Sequence, residues 1–118
     1  MVNSTTKVQN PTAESTEAPT NASFTGDYIW LTEGEPRLQY KNSQVFVSDG
    51  GNVKSELIGN VIDYAYQDYY NNYQPIYQLK GYSTSDYIVV PVSGETDSYV
   101  LFRNQNSKDI SPSIWQRN

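Results

Sequence analysis

Cysteine and histidine are both absent from this chain of 118 residues. Without cysteine there are no disulfides, no zinc-thiolate centres and no thiol nucleophile. Without histidine the usual general base, the commonest transition-metal ligand and the side chain that titrates near neutrality are missing together. No Ser-His-Asp or Cys-His arrangement can be assembled within the chain. Basic residues are scarce too: 8 Lys and Arg stand against 13 Asp and Glu, a net charge of −5. Such a balance lacks the cationic footprint that draws phosphate backbones or anionic lipid. Nucleic acid is therefore not expected as a partner, and a membrane only through an N-terminal lipid anchor absent from this chain. Long apolar runs are missing as well. None approaches the roughly 20 residues that span a bilayer, and no apolar signal-peptide core follows Met1. For an exported protein the expectation is then that the export signal has been removed. A chain without cysteine fits a reducing cytosol or an exported bacterial protein equally well.

What is present is tyrosine. The apolar fraction is only 36%, and 11 of the residues in it are Tyr. Tyr brings a large buried body and a polar tip, which suits half-buried sheet faces. Residues 2–23 read VNSTTKVQNPTAESTEAPTNAS, with almost nothing to bury. That composition cannot offset its own ordering entropy and is predicted to be disordered, in the manner of a tether between an anchored N-terminus and a folded domain. The triplets at Asn3 and Asn21 fit the glycosylation sequon, as chance triplets do in such tails.

From residue 24 onward, short runs rich in aromatic and β-branched residues alternate with turn chemistry. Strands are predicted over 27–32, 37–40 and 44–47, separated by Glu33-Gly34-Glu35-Pro36 and Lys41-Asn42-Ser43. Asp49-Gly50-Gly51-Asn52 reads as a tight hairpin turn. It also resembles the start of a calcium loop, but the further carboxylates such a loop needs are missing. Residues 53–67 fit a strand by their aromatic content and Gly59, and a short helix by the spacing of Leu57, Ile58, Val61, Ala65 and Tyr69; strand is favoured. Residues 68–75 form a predicted loop with three Tyr among Asn and Asp. The stretch 76–102 is the most apolar, with strands at 76–79, 87–92 and 98–102. Pro91 cannot donate to a ladder and belongs at an edge, a bulge or a strand end. In the polar tail, Trp115 is expected to dock on the domain for the sake of its burial.

The fold class that follows is mainly β: a small antiparallel barrel-like or strongly curved sheet of six to eight strands, with room for one short helix. Residues 1–23 would be the disordered tether and 24–118 a single domain with a polar C-terminal strap, monomeric.

Chemistry is harder to place. A glycosidase needs two carboxylates facing each other across a sugar cleft, and most of the acidic residues fall in predicted turns. Asp63, among apolar neighbours, is the carboxylate whose titration a fold could perturb, although a solvent-facing strand position is the expected place for it. No phosphate-cradling loop, dinucleotide fingerprint or metal-ligand spacing is present. The chain is expected not to be an enzyme, and to need no cofactor and no metal. The candidate binding residues are Tyr69, Tyr70, Asn72 and Tyr73, since Tyr with Asn offers rigid contact area and adaptable hydrogen bonds, or rings that stack on sugars. The plainer account is that these rings cover the edge of the domain's own core.

Glu56-Leu57-Ile58-Gly59-Asn60-Val61, then Ile76-Tyr77-Gln78-Leu79-Lys80-Gly81-Tyr82, then Tyr87-Ile88-Val89-Val90 and the aromatic strand at 99–102 resemble the small extracytoplasmic domains of bacterial cell-envelope lipoproteins, whose function is unassigned. The resemblance covers the second half of the domain and rests on hydrophobic and Gly positions. Pro91 departs from it, standing where a charged residue is more usual. It implies an extracytoplasmic location, anchored at the envelope or secreted, and carries over no functional residue. The expected function is a non-catalytic module that binds a protein or cell-wall glycan; the alternative is a purely structural domain with no ligand of its own.

Overall fold

The computed structural model describes residues 24–67, 71–92, 95, 98–110 and 112–116. Seven strands follow in chain order: β1 (Tyr28–Leu31), β2 (Arg37–Tyr40), β3 (Gln44–Gly51), β4 (Ile58–Gln67), β5 (Asn72–Leu79), β6 (Tyr87–Pro91) and β7 (Tyr99–Asn104). They form one antiparallel sheet in the order β1-β2-β3-β7-β6-β5-β4. The two end strands, β1 and β4, come back against each other, so the sheet curls into a nearly closed barrel. The tether predicted over 1–23 lies outside the described residues.

Local chemistry accounts for the turns. Gly34 takes φ +77 between β1 and β2, and Lys41 and Asn42 both take positive φ in the three-residue connection of β2 to β3, where Ser43 N donates to the Tyr40 carbonyl. Paired positive φ values give the primed turn whose twist matches that of the strands it joins.

Period-two alternation then divides the apolar residues between two cores. On β6, Ile88 and Val90 point into the barrel with Tyr28, Leu38, Phe46, Ala65, Ile76 and Phe102. Tyr87 and Val89 point outward, into a second cluster with Val53, Tyr77, Leu79, Leu101 and Ile114. The near-continuous apolar run at 87–90 is explained by this: β6 is buried on both faces, as strands covered on two sides are.

The outer cover comes from two segments that run antiparallel to each other. Leaving β3, the chain passes over the outside of β7, where Val53 N donates to the Tyr99 carbonyl at 3.2 Å. A 3-10 turn at Ser55–Leu57 then delivers it to β5, where Lys80 N donates to the Leu57 carbonyl. The C-terminal strap lies alongside and pairs Trp115 with Val53 in an isolated bridge. Lys54 N donates to the Ile114 carbonyl at 2.9 Å, and Gln116 N to that of Asn52 at 2.7 Å. Trp115 thus docks on the domain.

Three expectations need correction. Asp49, Gly50 and Gly51 are not a hairpin turn; they continue β3, with a register shift between Ser48 and Gly50. Gly50 holds φ +140 there, and a Cβ on it would stand 3.1 Å from the Trp115 ring. Its glycine character serves a bulge under an indole. Residues 72–75 are strand, not loop. Pro75 is accommodated because β5 pairs with β6 only at Tyr77 and Gln78, leaving no ladder partner that needs a donor from residue 75 on that side. Asp63 is not solvent-facing: it is 3% exposed.

Asp63 instead latches the barrel. Its Oδ1 accepts from Thr25 N at 3.0 Å and Tyr64 N at 2.8 Å, and its Oδ2 from the Thr25 hydroxyl at 2.5 Å. The segment leading into β1 is thereby tied to β4 across the seam where no ladder joins the end strands. The buried carboxylate is stabilised by these donors, as a desolvated charge requires.

Candidate functional site

The registers gather three connections at one end of the barrel. Leu31 pairs with Arg37, Gln67 with Asn72, and Pro91 with Tyr99, so the β1–β2 turn, the β4–β5 hairpin and the β6–β7 turn open the same mouth. The candidate residues Asn72 and Tyr73 belong to this end; Tyr69 and Tyr70 lie outside the described residues.

Alternation sends the hairpin's side chains to two faces. Gln67 and Asn72 are cross-strand partners, as are Ala65 and Gln74, and Ala65 is part of the barrel core. Gln67, Asn72 and Gln74 therefore sit on the inner face. Tyr66 and Tyr73 are paired on the outer face, with ring centroids 5.0 Å apart and edge-to-face. Phe24 also meets Tyr73, edge-to-face at 5.7 Å. The Tyr66 hydroxyl donates to Asn71 Oδ1, and Asn71, at φ +60, donates its N–H to the Gln67 carbonyl. The structure thus separates the two described candidates: Asn72 faces the barrel mouth, and Tyr73 belongs to an outer aromatic row in which rings are partly covered by one another.

Inside the mouth is a cavity of about 210 Å³. Trp30 and Phe102 form its aromatic wall, with ring centroids 5.3 Å apart, and Val90, Pro91, Val92 and Val100 continue the apolar lining. Ser48, Gln67 and Gln74 supply the polar part, and no charged side chain among the described residues lines it. Sequence reasoning missed Trp30, Gln67 and Gln74. The available signal was parity, since Gln67 and Gln74 stand two residues from Ala65 and Ile76 in alternating strands.

Buried polar residues in the two halves of the barrel are treated differently. At the opposite end, Asn104 Nδ2 donates to Gln44 Oε1 at 2.7 Å and to the Ser85 carbonyl at 3.0 Å, and its Oδ1 accepts from Asn106 N. Asp63 is likewise supplied with donors. Gln74 is 2% exposed, and no hydrogen bond joins its amide to another residue among the described residues. The Trp30 Nε1–H is buried with no acceptor. The unmet Trp30 indole stands out, because natural interiors pair nearly all of their polar groups.

Tyrosine ionisation is also suppressed in the core. Burial pushes the Tyr28 phenol well above its ordinary value, helped by neighbouring Tyr40, Asp63 and Asp27. Tyr87 is raised by burial first and by Asp86 next, and its hydroxyl donates to the Lys108 carbonyl at 2.5 Å. Both need their proton in the folded state.

Comparison with family models, with curated proteins and with solved structures finds no match to this chain.

Proposed function

We propose that this chain is a non-catalytic module of the cell envelope that binds a wall glycan at the hairpin end of its barrel. The outer aromatic row of Tyr66 and Tyr73, set beside Asn71 on a two-stranded hairpin, carries this reading. Aromatic faces stack on the C–H faces of sugar rings, and neutral amides hydrogen-bond their hydroxyls without needing charge. The Ser/Thr/Pro-rich stretch at 1–23 suits a tether that holds such a module off a surface, and the resemblance to envelope lipoprotein domains supports the same location. A purely structural role is the alternative, favoured by the way the Phe24, Tyr73 and Tyr66 rings cover one another.

The test is retention on insoluble cell-wall glycan, comparing the full chain with a Tyr73→Ser variant whose fold is checked by circular dichroism. Retention that falls at least tenfold in the folded variant supports the reading. Retention on envelope proteins but not on glycan replaces the glycan with a protein partner. No retention by either chain leaves the structural role.

A further inference from the structure

We infer that the mouth cavity is a binding site for one uncharged ring carrying a secondary amide, held amide-to-amide by Gln74. The inference stands apart from the outer aromatic row, because Gln74 and Tyr73 point to opposite faces of β5 and either site can fail without the other.

Size comes first. A cavity of about 210 Å³ exceeds the ~150 Å³ that admits a benzene ring and falls short of the ~300 Å³ at which drug-sized pockets begin. One six-membered ring with a small substituent fits. Chemistry then narrows the class. The lining among the described residues has no charge, so a charged occupant would lose its hydration without a partner there. Trp30 and Phe102 offer aromatic surface to an alicyclic or pyranose ring. The Gln74 amide is simultaneously a donor through Nε2 and an acceptor through Oε1. A secondary amide presents the complementary pair, its carbonyl accepting from Nε2 while its N–H donates to Oε1.

An amide with no protein partner at a cavity wall is met by whatever fills the cavity, whereas Asn104 and Asp63 are supplied with partners by the protein itself. An amide left open to a cavity is what a site awaiting a ligand looks like, since functional positions are where local consistency is given up. An amino sugar bearing an acetamido group and a non-sugar cyclic amide share this chemistry.

The experiment follows the side-chain amide resonance of Gln74 and the indole N–H of Trp30 by ¹H–¹⁵N correlation spectra of the full chain. Four probes are titrated: N-cyclohexylacetamide, N-acetylglucosamine, methylcyclohexane and glucose. Saturable shifts of both resonances with N-cyclohexylacetamide, at least tenfold tighter than with methylcyclohexane, are expected. N-acetylglucosamine binding tenfold tighter than glucose makes the source an amino sugar. Amide binding restricted to the non-sugar probe makes it a small cyclic amide. Gln74→Met keeps the volume and removes the amide; it is expected to fold with an unchanged or higher melting temperature and to lose the tenfold preference. Ser48→Phe plugs the mouth from a solvent-exposed position and should abolish the shifts. Equal affinity for the amide and its hydrocarbon control, an unchanged preference in Gln74→Met, or a cavity that holds only water and gives no saturable shift would each overturn the inference. So would a Gln74→Met chain that fails to fold, since the amide would then have a structural role. A titration that succeeds while glycan retention fails leaves this site standing and sinks only the reading of the outer row.

Discussion

Replacing Gly50 by Ala tests the packing of the strap more sharply than removing the strap would. Two costs coincide at this position. The backbone sits at φ +140, a region where an L side chain is strained by about 1–3 kcal/mol. A Cβ would also approach Trp115 Cη2 to 3.1 Å and Cζ2 to 3.4 Å, which forces the ring aside at a further cost of about 1–2 kcal/mol, within the range for overpacked sites. In Trp115→Leu the benzo edge of the indole is gone, so the second cost disappears and the first remains. Gly50→Ala should therefore destabilise the natural chain by roughly 2–5 kcal/mol but the Trp115→Leu chain by only about 1–3 kcal/mol. The coupling of about 1–2 kcal/mol would exceed the ~0.5 kcal/mol within which independent sites add. Urea unfolding of the four chains, followed by far-ultraviolet circular dichroism and analysed at constant slope, gives the comparison. Additive effects would mean that the indole does not lie over Gly50 in solution, and the account of the second core would fall with it.

Two further outcomes follow from the buried polar groups. Tyr28 stays protonated in the fold to a higher pH than in the unfolded chain, so its contribution is intact below about pH 10, the ordinary phenol value. Above that the unfolded chain loses its proton first and stability falls with pH; Tyr28→Phe should flatten the decline between pH 10 and 11 in urea midpoints and remove one late-ionising phenol from an absorbance titration. Asp63→Ala should cost about 2–4 kcal/mol by removing charged hydrogen bonds to Thr25, with faster amide exchange at Thr25 and Tyr64; unchanged exchange at Thr25 would refute the latch.

The turns that the sequence disclosed were those with a single physical meaning. Gly34 before Pro36, and Lys41-Asn42 between two four-residue runs, can do little except reverse the chain. Gly50 was misread because glycine signals either a tight turn or a close approach, and the ring that approaches it comes from 65 positions further along. Pro75 was read as the end of a loop because the missing N–H is fatal only where a partner waits for it, and that depends on how far β6 extends. Asp63 was placed in solvent because its donors lie on Thr25, across a seam that no local pattern records. The second core was not read from the sequence: the apolar run at 87–90 is what burial on both faces produces, but nothing local shows what covers the outer one. Of the candidate site, the hairpin end was legible in the density of Tyr and Asn. The cavity was not, since a polar residue at an inward position resembles an outward one until the register is known.

The missing ladder between β1 and β4 has a mechanical consequence. β1 is an end strand with one hydrogen-bonded neighbour, and the chain enters it directly from Thr25. A load applied through the N-terminal segment therefore falls first on the Asp63 carboxylate, then peels β1 from β2 one pair at a time. Force at the other terminus meets the strap side-on, against a face where two paired segments share a core. A tether at residues 1–23 would thus pull on the softest line of the barrel, and a single-molecule pull from that side should show a low-force first opening before the sheet from β3 to β7 yields.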